Sequence, residues 1–185
     1  LKATIREQAF RSGFFADNAL RRNGELVVQD NFTEVCQYFA FYFDIATPES
    51  HPELWDRLIH ELGPQRREPD PWEEIHPANS FVGNYIRLEL LAANNLTRQL
   101  VEECRNLFLY MAQQTGTLWE NIFPGTSCCH GFASHVAHVF YRDLAGFAKI
   151  DRVNREVTIR FTSSGLSRCE ATVPAGDEVI FLSWE

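Results

Sequence analysis

Trp119, Glu120 and His130 are the residues of this chain whose types and spacing could do chemistry. They lie in the stretch from Gly116 to Gly131, which joins two helical patterns. A large aromatic stands beside a carboxylate, and an imidazole follows ten residues after that carboxylate. Glycines at both ends of the stretch permit tight turns, and Pro124 interrupts any helix running through it. A sugar site needs such a set: the ring's apolar face stacks on an aromatic, polar groups bond the hydroxyls, and a carboxylate moves a proton. The residues by themselves also fit a solvated loop carboxylate at Glu120 and a helix-capping or core histidine at His130.

Thr117-Leu118-Trp119-Glu120, followed by Ser127-Cys128-Cys129-His130 at the head of a helix, resembles the second catalytic segment of the inverting α-L-rhamnosidases. There a Thr-Thr-hydrophobic-Trp-Glu run precedes Ser-x-x-His. Thr33 to Tyr38, the run from Phe14 to Asn18 and the descent into strands after Gly146 also resemble this family, so the likeness covers nearly all of the chain. It implies that Glu120 is the general base and that Trp119 and His130 bind substrate; no cofactor is expected and no metal-ligating residue is assigned, a calcium requirement being left open. The implied substrate is a glycan or glycoside ending in α-linked L-rhamnose, cleaved with inversion. Such cleavage uses two carboxylates about 6.5–9.5 Å apart, one protonating the leaving oxygen and the other activating water.

The family's general acid lies in an upstream segment without a counterpart here, and Glu73 and Glu74 beside Trp72 do not match its pattern. The resemblance therefore implies the C-terminal half of an (α/α)6 barrel, partnered by the N-terminal half of the same barrel and inactive alone. Two further readings stand beside it. One is another glycosidase specificity on the same six-hairpin architecture. The other is a non-catalytic helical carbohydrate-binding or interaction domain that keeps the loop as scaffold.

The elements expected to position these residues are mainly helical. Apolar spacing predicts helices over 3–20, 34–44, 51–62, 80–93, 97–114 and 129–145, capped at the second by Asn31 or Thr33 and at the third by Ser50. The first, third and fifth are apolar on one side, and the second, fourth and sixth nearly all round. That alternation suits three helical hairpins with an inner and an outer layer, half of an (α/α)6 toroid. The Asn23-Gly24 pair marks a turn. After Gly146 the apolar period shortens to two, and 156–161, 169–173 and 178–182 read as strands of a short antiparallel sheet. The expected fold class is mainly α with a C-terminal β segment, residues 1–147 forming the barrel half and 148–185 part of a β-domain. Trp72, in the long polar stretch 63–78, either reaches a site or pins its loop to the body.

A net charge of −8 and the lack of a basic stretch argue against a nucleic-acid partner. No run approaches the roughly 20 apolar residues of a membrane span. A start at Leu1-Lys2, without Met and close to a helical pattern, reads as a cut inside a longer protein. Of the five cysteines, Cys36, Cys104 and Cys169 fall in apolar periodic contexts and read as reduced core residues. Zinc at His130, His135 and His138 is disfavoured, since successive offsets of about 500° and 300° put the three on different faces of a helix. The adjacent Cys128-Cys129 lacks ligand spacing as well.

Overall fold

The computed structural model describes residues 1–66, 70–123 and 125–185. Pro124, expected to break a helix, lies outside the described residues.

The chain opens with α1 (Lys2–Ala9) and turns at once into strands β1 (Phe10–Arg11) and β2 (Phe14–Phe15), which pair antiparallel. Ser12 and Gly13 between them both have positive φ, 53° and 84°, the geometry that tight hairpins demand. A second hairpin, β3 (Ala19–Arg22) with β4 (Glu25–Val28), turns at Asn23-Gly24, as their sequence signal predicts. Strand β5 (Phe32–Thr33) leads into α2 (Glu34–Tyr42), where the Thr33 hydroxyl caps the helix by accepting the Cys36 N–H at 3.2 Å. Helix α3 (Pro52–His60) begins on a proline, with His51 rather than Ser50 at its cap. Ser50 instead closes a turn on Thr47. Strand β6 (Ile75–His76) runs parallel to β5, Phe32 opposite Ile75, and returns the long polar stretch to the body.

Helix α4 (Val82–Ala93) is the centre of the molecule and packs on α2. Helix α5 (Thr97–Cys104) continues through a π-helical turn, Arg105–Leu109, into α6 (Tyr110–Thr115), which ends at a left-handed Gly116. After the loop, a 3-10 turn (Gly131–Ser134) enters α7 (His135–Val139), and a second π-helical turn (Phe140–Ala145) ends at Gly146. Both α5 and α7 rest on α4. The helical faces meet in two apolar clusters, one around Phe14, Tyr38, Leu54 and Ile86, the other around Leu91, Leu100, Met111, Trp119 and Val139. Trp55 touches both.

The C-terminal region forms two hairpins, β7 (Phe147–Asp151) with β8 (Glu156–Ile159), and β9 (Cys169–Ala175) with β10 (Glu178–Trp184). They are fastened to the end of the last helix. The Trp184 indole donates to the Ala145 carbonyl at 3.1 Å, and the Thr162 hydroxyl donates to the Asp143 carbonyl at 2.7 Å.

This architecture corrects the expected fold class. The chain is mixed α/β, 40% helical and 22% strand, with five two-stranded sheets among the described residues, and not a mainly α half-toroid of three hairpins followed by one sheet. The first helix fails because Ser12-Gly13 reverses the chain after Ala9, which turns Phe14 and Phe15 into buried strand residues rather than one face of a helix. Six helical stretches remain among the described residues, but the first is a short helix with no buried residue and cannot complete a hairpin of the expected kind. At the other end, β7 takes Phe147–Asp151 and pairs with β8 alone, so the strands form separate sheets.

Candidate functional site

The loop after Gly116 is held as a short ladder. The His130 N–H donates to the Leu118 carbonyl at 2.8 Å, the Glu120 N–H donates to the Ser127 carbonyl at 2.9 Å, and the Thr117 hydroxyl donates to the Cys128 carbonyl. Residues 117–120 and 127–130 therefore lie side by side, which brings Glu120 and His130 onto one small platform. A further bond, from the Ser80 N–H to the Glu120 carbonyl at 2.9 Å, fastens the platform to the start of α4. The backbone of Glu120 is thus clamped on both sides. Its side chain is half-buried, and among the described residues no side chain or backbone group meets its carboxylate.

Trp119 takes a different place from the one a sugar platform requires. It is 2% exposed, its indole N–H donates to the Thr115 hydroxyl at 2.7 Å, and its ring stands edge-on to Tyr110 at 5.8 Å. Leu118 and Ile122 pack against the same apolar cluster as Trp119, while Glu120 between them is half-buried. Trp119 is the anchor of the loop, and the outer aromatic surface comes from elsewhere. The Phe81 ring lies 4.7 Å from the His130 ring and 6.1 Å from Phe132, and His130 lies 5.7 Å from Phe132. Phe132 is 73% exposed and Phe123 62%. Sequence reasoning passed over Phe81 as part of a core helix face. The available signal was Phe132, an aromatic two residues past the histidine on the exposed side of the turn.

His130 opens a helical segment as expected, but that segment begins as a 3-10 turn of four residues. Such a turn gives little aligned backbone dipole, so the role of His130 rests on its ring position beside Phe81 and Phe132.

A second polar row follows α4 away from the loop. Tyr85 lies 4.7 Å from the His135 ring, His135 Nε2 is 2.9 Å from Glu89 Oε1, and Arg142 Nη1 stands 2.8 Å from Glu89 Oε2. Arg142 also holds Asp143 at 2.6 Å, and Arg160 reaches the other Asp143 oxygen at 2.8 Å. Burial works against the charge on Arg142. Hydrogen bonds to Asp143 and Glu89 outweigh it, so the guanidinium pKa stands above its usual value. His138 faces Arg142 at 3.3 Å. Of the three histidines discussed for zinc, His135 and His138 are engaged in this row. Among the described residues no group of three or more His, Cys, Asp or Glu is placed to hold a metal ion. All five cysteines are free thiols, the Cys128-Cys129 pair included.

Trp72 pins its loop. Its indole N–H donates to Glu61 at 2.6 Å, its ring lies edge-on to Phe14 at 5.3 Å, and the Arg57 guanidinium sits over it at 5.0 Å. No helix among the described residues is long and apolar enough to cross a membrane. Comparison with family models, with curated proteins and with solved structures finds no match for this chain.

Proposed function

We propose that the loop carries the base side of a glycoside-hydrolysing site of the kind implied by its resemblance to the inverting α-L-rhamnosidases. The observation that supports this reading is the placement of Glu120: a backbone clamped on both sides, an unengaged carboxylate, and the His130–Phe81–Phe132 group on the same platform. In the proposed step Glu120 takes a proton from a water molecule, and the resulting hydroxide oxygen bonds to the anomeric carbon. The bond from that carbon to the leaving oxygen breaks as a second carboxylic acid protonates the oxygen. That acid comes from residues other than those of this chain. Phe81 and Phe132 give the sugar's apolar face a wall, and His130 bonds one of its hydroxyls.

The test is hydrolysis of a chromogenic α-L-rhamnoside by the natural-length protein beside its Glu120→Gln variant. The expected result is a kcat at least about 10²-fold lower with KM little changed, the usual contribution of a positioned base. Unchanged turnover removes Glu120 from the mechanism. The burial of Trp119 favours a second reading, a non-catalytic carbohydrate-binding or interaction domain in which the loop is scaffold. Glycoside binding by Glu120→Gln, with no turnover by the unmodified protein, is the result that selects it.

A further inference from the structure

The end of α2, the turn into α3 and the last turns of α4 enclose a cleft of about 260 Å³, lined among others by Tyr42, Asp44, Trp55 and Glu89. It lies apart from the loop, since Glu89 follows Phe81 by eight residues of helix, about 12 Å. Its polar groups are few and fixed. Trp55 is held at an angle by Phe41, ring centroids 5.0 Å apart, and among the described residues no acceptor meets its indole N–H or the Tyr42 hydroxyl. Glu89 is held by two partners, its Oε1 by His135 at 2.9 Å and Arg142 at 3.0 Å, its Oε2 by Arg142 alone at 2.8 Å. A lone pair of Oε2 therefore remains for a further donor.

We infer that this cleft binds a single ring of a neutral sugar, with Trp55 and Tyr42 against the ring's apolar face and Glu89 accepting a hydroxyl. Small clefts that combine aromatic surface with a few converging polar groups select ligands of that chemistry. An organic cation is the competing occupant, drawn by the same aromatics and carboxylates. Charge decides against it: Glu89 already has Arg142, and Asp44 already has Lys2 at 3.4 Å. What remains is hydrogen-bonding capacity rather than uncompensated negative charge. The inference holds whether or not Glu120 acts as a base.

The experiment is a titration of the full ¹⁵N-labelled chain, followed by NMR, with methyl α-L-rhamnopyranoside, with methyl α-D-glucopyranoside and with choline chloride. A saturable, millimolar-range shift of the Trp55 indole N–H with at least one glycoside is expected. Glu89→Gln weakens the binding about tenfold, the worth of a hydrogen bond to a charged group. Tyr42 is 49% exposed, so Tyr42→Phe removes only a hydroxyl and weakens binding severalfold even if Glu89→Gln fails to fold. A Trp55 resonance that ignores both glycosides, or that answers choline in preference to them, overturns the inference. Shifts confined to residues 118–132 place the sugar at the loop, which overturns the cleft and leaves the reading of Glu120 standing.

Discussion

Arg87 of α4 and Glu103 of α5 meet as a two-pronged pair, Nε donating to Oε2 and Nη2 to Oε1, each at 2.7 Å, with side chains 2% and 6% exposed. Arg87 also donates to the Leu58 carbonyl and, at 3.3 Å, to the Tyr38 hydroxyl, which bonds Glu34 at 3.2 Å. Burial opposes the Arg87 charge, and Tyr38 and Glu103 outweigh it, so its pKa stands above the usual value. Removing one partner strands a buried charge. Glu103→Gln and Arg87→Met are each expected to cost about 3–5 kcal/mol in urea denaturation. The double variant should lose less than the sum of the two, because the pair is then absent from both sides. Single losses below about 1 kcal/mol would show that the pair is loosely held.

Gly83 sits in the first turn of α4, where a helix normally gains about 1 kcal/mol from alanine. Here a Cβ would stand 2.5 Å from Ala78 Cβ and 3.1 Å from Val35 Cγ2, where α4 closes on α2 and the incoming strand. Gly83→Ala is therefore expected to destabilise by about 1–3 kcal/mol, the usual effect of overpacking. A raised melting temperature would mean that the packing there yields.

Cys36 and Cys104 give the chain an alkaline limit. Burial raises both thiol pKa values from 9.0 to about 12, assisted by Asp17 at Cys36 and by Glu103 at Cys104. The folded state keeps these protons where the unfolded chain releases them. Their contribution to stability is complete below pH 9 and is lost as pH rises toward 12. Tyr38, also raised by burial, acts in the same sense. Denaturation midpoints measured across that range should fall, and Cys104→Ala should flatten the fall. A maleimide at neutral pH should modify exposed Cys129 first and buried Cys104 only on unfolding. Equal rates for the two would contradict the burial.

Trp119 is placed as a core residue, so Trp119→Ala is expected to cost about 3–5 kcal/mol. Trp119→Phe, which keeps the ring but loses the bond to Thr115, should leave any glycoside affinity of the loop unchanged while lowering stability. Lost affinity with unchanged stability would put the indole at the ligand instead.

The helices α2 to α5 were legible because their apolar residues repeat at 3.6 and their ends carry recognisable signals, Thr33 before α2 and Asn94-Asn95 after α4. The first helix was not, since Phe10, Phe14 and Phe15 satisfy a helical spacing as well as a hairpin, and Ser12-Gly13 decided between them. In the loop, the types and order of Trp119, Glu120 and His130 were readable, but not which of the first two would turn inward. Gly116 signalled the left-handed exit, but the ladder to Ser127 that sets which side turns inward is encoded by no local pattern. The polar hub at Glu34 was equally hidden. It accepts from Gly63 N, Ala78 N and Arg66, each at 3.0 Å, groups that only the tertiary fold gathers.

Five two-stranded sheets mean that every strand among the described residues is an edge, with one row of backbone groups turned away from its partner. The β9–β10 ribbon is the longest, seven residues on each side, and shows Val179 and Phe181 at 68% and 62% exposure. Such a ribbon invites the addition of a foreign strand. Pro174 within β9 removes one donor, while Glu170, Asp177 and Glu178 place negative charge along or beside its ends. These four residues act as gatekeepers, and colloidal stability at high concentration should depend on them more than on the helical core.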